Sequence, residues 1–464
     1  MNESINRCDI FCKVIDNYGD IGVCWRLARQ LAHEHGLAVR LWVDDLSSLT
    51  KLCHEASAAR DIQHCRGVEV RYWAVDAFHL QPLTCKQEMV ASRQGEGERG
   101  VADLVIEAFA CKLPQGYIEA MVAQEKSPVW MNLEYLSAED WVYGCHGLPS
   151  PHPSLPLIRY FFFPGFTRQT GGLLLERGLL ARRDAFQSDT AQQQIFWRSI
   201  GMKLPSVETL KISLFGYENA ALAGLFDVWS NSTQAVLCLV PEGRILPQVG
   251  QYFGDVAPCA GRVYSQGNLQ VRVLPFVEQE CYDELLWACD VNFVRGEDSC
   301  VRAQWAAKPF IWQIYPQHDA VHWQKLQAFL NLYSTPLGAV ASQAMQSLWR
   351  VWNGGCDTLL IEPLAIRPGE PTIFAKSLVM TKPTDCRSRR EAASQLPEES
   401  SAKLRGSQGN WVGNAWLAFD NVREELGARA QGWAQDLATN NLALNLLDFS
   451  REVGRMRAFK IDGR

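Results

Sequence analysis

The sequence predicts an α/β protein built as two doubly wound, Rossmann-like domains that face a cleft, and three stretches carry that prediction. Asp9 to Ile15 is apolar enough for a buried first strand and runs through a polar turn into helical spacing. Lys211 to Tyr217, K-I-S-L-F-G-Y, starts a strand series again halfway along the chain. Asp290 to Gln317 contains a complete strand-turn-helix-strand unit of the kind whose turns bind ligands at the carboxyl ends of parallel strands.

Length and composition agree with two such domains. At 464 residues the chain exceeds what one core organises. Hydrophobic residues make up 47%, with 16 Trp and 20 Phe, so a large interior is expected. A net charge of -6 argues against a nucleic-acid partner, because phosphate binding calls for basic patches. The 15 cysteines form no C-x-x-C pair, which suits reduced thiols in the cytoplasm rather than a disulfide framework or zinc site. The N-terminus lacks the pattern of a signal peptide, and no apolar run nears the roughly 18 residues of a membrane span. A cytoplasmic monomer with no membrane contact is the expectation.

In order, the turn Asp16-Asn17-Tyr18-Gly19-Asp20-Ile21-Gly22 leads into a helix over Val23 to Ala32 that Gly36 ends, and Leu37 to Val43 gives the second strand. The turn lacks the third glycine of a dinucleotide fingerprint, and Asp16 and Asp20 would repel a pyrophosphate. Paired carboxylates there suit a cationic acceptor that must be oriented and relieved of a proton. They also fit an Asx-turn at Asp16 with Asp20 as N-cap. Asp103 to Phe109 and Pro128 to Leu133 read as further buried strands, followed by polar turn residues such as Glu107 and Glu134. His146 and His152 lie in a Pro-rich segment without a third ligand at metal spacing, so they read as structural.

A polar helical stretch from Ala181 to Met202 separates the halves, and Ala235 to Pro241 and Val271 to Phe276 continue the second strand series. Phe276 and Tyr217 stand at strand ends, where an aromatic face either stacks on a base or joins the core. Glu280 to Ala288 is a short helix leading to the strand Asp290 to Val294. The turn Arg295 to Ser299 then combines an arginine fork, a hydroxyl and a helix N-terminus, which together suit a nucleoside diphosphate, with Glu297 placed to accept ribose hydroxyls. Capping by Asp298 or Ser299, with Arg295 in a surface ion pair, accounts for the same residues. Helices are predicted around His322 to Leu332, Ala341 to Trp352 and from Trp411 onward, while Thr381 to Asn410 has the polar composition of a mobile insertion. The resulting division is 1–185, 186–380, an insertion at 381–410 and terminal helices over 411–464.

A phosphate-type turn in the second half and paired acids in the first are what a B-type (GT-B) glycosyltransferase needs. No Asp-x-Asp motif is present, so no metal is expected and Arg295 with the helix N-terminus takes the leaving-group role.

Four segments carry a more specific resemblance: F-C-K-V-I-D-N-Y-G-D-I-G-V-C-W-R-L-A-R-Q-L, K-I-S-L-F-G-Y-E-N, L-P-F-V-E-Q-E-C-Y-D-E-L-L-W and N-F-V-R-G-E-D-S-C-V-R-A-Q-W-A-A-K-P-F-I-W-Q-I-Y-P-Q. They resemble the EarP family of bacterial protein-arginine rhamnosyltransferases that modify elongation factor P. The resemblance spans most of 8–380 and resumes in the terminal helices, about 430–464 of which would rejoin the first, acceptor-binding domain. It implies inverting transfer of L-rhamnose from dTDP-β-L-rhamnose to an arginine of elongation factor P, with no cofactor. Asp20 would be the general base, Asp16 its partner on the guanidinium, and Glu297 a third acid supporting the site. Phe215, Tyr217, Phe276, Gln279 and Tyr282 would surround thymine and deoxyribose, and Arg295, Asp298, Ser299 and Tyr315 would hold the sugar and diphosphate. A deoxyribose has no diol, so Glu297 loses its first assignment. A nucleotide-sugar epimerase of similar fold and a non-catalytic adaptor for a translation factor are the alternatives.

Overall fold

The computed structural model describes residues 5–16, 18–74, 100–316, 321–355 and 411–462. The Thr381 to Asn410 insertion lies outside the described residues. The first sheet contains β1 (Arg7–Cys12), β2 (Ala38–Val43), β3 (Ile62–Cys65), β4 (Val68–Tyr72), β5 (Leu104–Ala108), β6 (Val129–Leu133), β7 (Pro149–Pro151) and β8 (Ile158–Phe162). Its order is β3-β4-β2-β1-β5-β6-β8-β7. The second contains β9 (Leu210–Leu214), β10 (Val236–Pro241), β11 (Val263–Gln266), β12 (Leu269–Leu274), β13 (Val291–Arg295) and β14 (Phe310–Gln313), in the order β11-β12-β10-β9-β13-β14.

Both sheets are parallel through their centres and close with an antiparallel strand at an edge. The central strands are apolar on both faces because helices cover both, and β5, β6, β10 and β13 are buried throughout. Strand order reverses between β1 and β5 in one sheet and between β9 and β13 in the other. Crevices open at such switch points, at the carboxyl ends of the strands. The cleft lies between the turn after β1 and the turns after β9 and β13. This two-domain arrangement is the GT-B fold expected from the sequence.

Several elements differ from the expectations. The β3-β4 hairpin turns at Arg66 and Gly67, with φ of 47° and 73°, the left-handed pair that matches strand twist; its short, half-exposed strands carry little apolar signal. Glu107 is not a turn residue but part of β5, buried against Arg159 at 3.1 Å. The polar stretch before the second domain is two helices, α5 (Leu179–Ser188) and α6 (Thr190–Ser199), and α5 already packs on the second domain, with Phe186 5.8 Å from Trp287.

The chain also returns to its start. Helices over 411–421 and Arg423–Leu437 pack on the second domain through Trp416, 5.2 Å from Trp229, and Trp433, which donates to Gln304 at 2.7 Å. The crossing back falls at Asn440 to Leu442, where Leu173 bridges Asn441, and the last helix, Leu442–Asp462, buries Leu442, Leu446 and Leu447 in the first core. Between the domains, Arg26 on α1 (Gly19–His35) and Arg302 on α10 (Asp298–Trp305) share Glu176, at 3.2 and 2.6 Å. Arg302 also forks onto Asp283 at 2.7 and 2.6 Å. Burial pushes the Glu176 carboxyl up, but the two guanidinium groups outweigh it and hold it well below the usual range.

Candidate active site

The turn after β1 is shaped by its acids. Asp20 is not the N-cap of α1; that position belongs to Tyr18, and Asp20 folds back so that Oδ2 accepts the N–H groups of Ile15 and Asp16 at 2.8 and 2.9 Å. Asp20 is 3% exposed. Burial pushes its pKa up to about 6, the two backbone donors oppose the rise, and the charges of Glu297 and Asp16 add to it. A carboxyl poised there exchanges a proton near neutral pH. The Tyr135 hydroxyl faces the same carboxylate, and its own pKa is raised by burial and by the charges of Asp20 and Glu297.

Asp16 points across the cleft. Its Oδ2 accepts the Tyr217 hydroxyl and its Oδ1 lies 3.4 Å from Arg295 Nη1. Gly296 makes room for this contact: its φ is 64° and a Cβ there would stand 3.0 Å from Asp16 Oδ2.

Arg295, at the end of β13, is 3% exposed and lies over the rings of Tyr217 at 4.5 Å and Phe215 at 4.8 Å. Its Nε and Nη2 are buried without hydrogen-bond partners. Buried donors without partners are costly, so this fork is built to receive acceptor atoms, and phosphate oxygens match it. The pocket it lines also includes Ser299, Phe276, Tyr282, Asp16, Tyr18 and Gly19. Phe276 packs on Tyr18 at 4.7 Å, Tyr282 lies edge-on to Phe215 at 5.9 Å, and Tyr315 meets Tyr217 at 5.7 Å. One apolar, aromatic wall therefore stands beside one cationic fork and one helix N-terminus, a combination suited to a nucleotide.

Asp298 and Gln279 are committed to protein. Asp298 Oδ1 takes Arg26 Nε at 2.7 Å and Oδ2 takes Gln279 Nε2 at 3.1 Å. Gln279 also donates to the Gly22 carbonyl at 2.8 Å and accepts from Arg29 at 3.1 Å. Both line the pocket while pinning α1 to α10, and Gly22 permits the approach, since a Cβ there would lie 3.3 Å from Asp298 Cβ. Neither Asp298 nor Ser299 caps α10; the N-cap position is Glu297, whose side chain makes no cap bond. Glu297 instead binds Lys325 Nζ at 2.7 Å and accepts the Leu136 N–H at 3.0 Å from the first domain.

All twelve residues proposed from the sequence thus gather at the cleft. Sequence reasoning missed Tyr18, Arg26, Tyr135 and Lys325. Tyr18 stands inside the acidic turn that drew attention; the other three carry no local motif. Among the described residues no three His, Cys, Asp or Glu side chains converge to hold a metal ion, and no helix is long and apolar enough to cross a membrane.

Known proteins resemble this chain over most of its length. The family model described as elongation-factor P (EF-P) rhamnosyltransferase EarP matches residues 8–451. A protein-arginine rhamnosyltransferase of Pseudomonas putida is 51% identical over 345 residues, covering 74% of this chain and 86% of that one. Its counterpart in Pseudomonas aeruginosa is 47% identical over 347 residues, covering 75% and 87%. A solved structure described as the basis for EarP-mediated arginine glycosylation of translation elongation factor EF-P superposes with a TM-score of 0.58 at 32% identity, covering 96% of this chain and 99% of that one.

Proposed function

The chain belongs to the EarP family of protein-arginine rhamnosyltransferases, and from that premise we propose that it moves L-rhamnose from dTDP-β-L-rhamnose to one arginine side chain of elongation factor P, inverting the anomeric centre. The observation that carries the reading is the pairing across one cleft of a buried arginine, Arg295, whose Nε and Nη2 have no hydrogen-bond partner, with an acid pair at Asp16 and Asp20.

A guanidinium is a poor nucleophile, since its lone pair is delocalised and its pKa exceeds about 12. Asp16 and Asp20 would hold the acceptor guanidinium and turn one nitrogen toward the anomeric carbon. As the N–C bond forms, the C–O bond to the diphosphate breaks and its electron pair leaves with the dTDP oxygen. Asp20 takes the nitrogen's proton as this happens, so prior deprotonation is unnecessary. Arg295, Ser299 and the N-terminus of α10 would stabilise the charge gathering on the diphosphate. The aromatic wall of Phe215, Tyr217, Phe276 and Tyr282 would enclose the thymine and deoxyribose, with Tyr315 beside the phosphates. No step of this route calls for a metal. Attack from the face opposite the leaving group gives an α-rhamnosyl arginine.

The test is intact mass of elongation factor P after incubation with the protein and dTDP-β-L-rhamnose. A gain of one deoxyhexose on arginine, with release of dTDP, is expected. Donor left unchanged, or altered with no mass gained by the acceptor, would overturn the reading in favour of an adaptor or an epimerase.

A further inference from the structure

Lys325 lies on α11 (Val321–Ser334), a helix outside both switch-point turns. Its ammonium is 2.7 Å from Glu297 Oε1 and 5.4 Å from the Tyr135 ring centroid, and its side chain is 14% exposed. The other oxygen of Glu297 accepts the Leu136 N–H, so this second-domain carboxylate is fixed against the first-domain loop that carries Tyr135, whose hydroxyl faces Asp20. Asp20 feels that carboxylate as a repulsive charge. The titratable groups set against this pair are Asp16 from the turn after β1, Tyr135 from the loop after β6, Cys12 at the end of β1 and Cys300 on α10; Lys325 is the cation placed directly on Glu297.

We propose that Lys325 is a positioning residue for this reaction: by neutralising Glu297 and fixing its direction, it keeps Asp20 able to accept the guanidinium proton near neutral pH. The proton moves to Asp20 as the N–C bond forms and the C–O bond to the diphosphate breaks, as above; Lys325 touches none of the reacting atoms. Without its ammonium, Glu297 keeps its negative charge beside a second buried carboxylate, and two such charges resist joint ionisation. The inference rests on the reading of Asp20 as proton acceptor.

Transfer rates at saturating donor, followed across the acid limb of the pH profile, test it in Lys325→Met and Lys325→Arg. The limb should move up by about one pH unit in Lys325→Met, a loss of roughly tenfold on the limb that shrinks as pH rises past it. Lys325→Arg should restore the wild-type position. Glu297→Gln, which removes the repulsive charge, should move the limb down, and adding Lys325→Met to it should produce no upward shift. A Lys325→Met loss of equal size at every pH, or a limb that stays in place, would overturn the proposal. Should that variant fail to fold, the direction of the Glu297→Gln shift decides: an upward shift or none overturns it. Failure of the Asp20 reading itself looks different, because wild type would then lack the limb and Asp20→Asn would transfer normally.

Discussion

Asp16 and Arg295 meet across the cleft, Oδ1 3.4 Å from Nη1, although 279 positions separate them in the chain. The acid that would orient the acceptor and the arginine that would bind the donor's diphosphate are thus held in one contact, with Tyr217 bonded to the same carboxylate. Only Nη1 of Arg295 faces Asp16; Nε and Nη2 are left for other acceptors.

Arg295→Lys removes the fork while keeping a charge, and an ammonium can neither stack on Phe215 and Tyr217 in the same way nor present parallel donors. Titration calorimetry with dTDP should show affinity reduced by roughly 10- to 100-fold, the equivalent of about 1.5–3 kcal/mol for hydrogen bonds to a charged group, with the fold intact by circular dichroism. Unchanged affinity would remove Arg295 from the diphosphate site.

Asp20 should give the transfer rate an acid limb near its pKa of about 6, because the carboxylate is the active form. Its effect on stability has the opposite sense. The folded pKa lies above the ordinary value of 3.8, so the group's contribution is fully present below pH 3.8 and is lost as pH rises through about 6. Asp20→Asn should therefore stabilise the fold at pH 8 relative to wild type by about 3 kcal/mol, the shift multiplied by ~1.4 kcal/mol per unit, and the gain should vanish in acid. Chemical denaturation at both pH values measures it.

Arg302 is 1% exposed and forks onto Asp283 while reaching Glu176. Arg302→Met leaves the buried Asp283 and the half-buried Glu176 without that cation and should cost about 3–5 kcal/mol in denaturant unfolding. Glu176 is held below its ordinary pKa, so its share of stability is present above the usual glutamate range and is lost only as pH falls well below it.

Gly296→Ala places a Cβ 3.0 Å from Asp16 Oδ2 on a backbone with φ of 64°. The left-handed conformation alone costs about 1–2 kcal/mol in a residue with a side chain, and Asp16 must shift. Transfer should fall more than dTDP affinity does, which paired rate and calorimetry measurements would resolve.

Much of this was legible in the sequence, and the reasons are physical. Buried parallel strands announce themselves as apolar runs, so β1, β5, β9, β10 and β13 stood out, and both switch-point turns were visible as polar residues crowded at the ends of such runs. The edge hairpins were not visible, because β3 and β11 are short and half-exposed and their pairing depends on turn geometry at Gly67 and Gly267. The partners of the site residues were not visible either. Arg26 reaches Asp298 across 272 positions and Lys325 reaches Glu297 from a separate helix; such pairings follow from how the domains dock, which no local pattern encodes.

The most direct test of the account measures transfer to elongation factor P and dTDP affinity side by side in Asp20→Asn. The account predicts that transfer falls by ~10²-fold or more, the scale of general base catalysis, while dTDP binds as in wild type, since Asp20 belongs to the turn after β1 and the free Arg295 donors belong to the end of β13. Transfer that survives the substitution, or a loss matched by an equal loss of dTDP affinity, would contradict it.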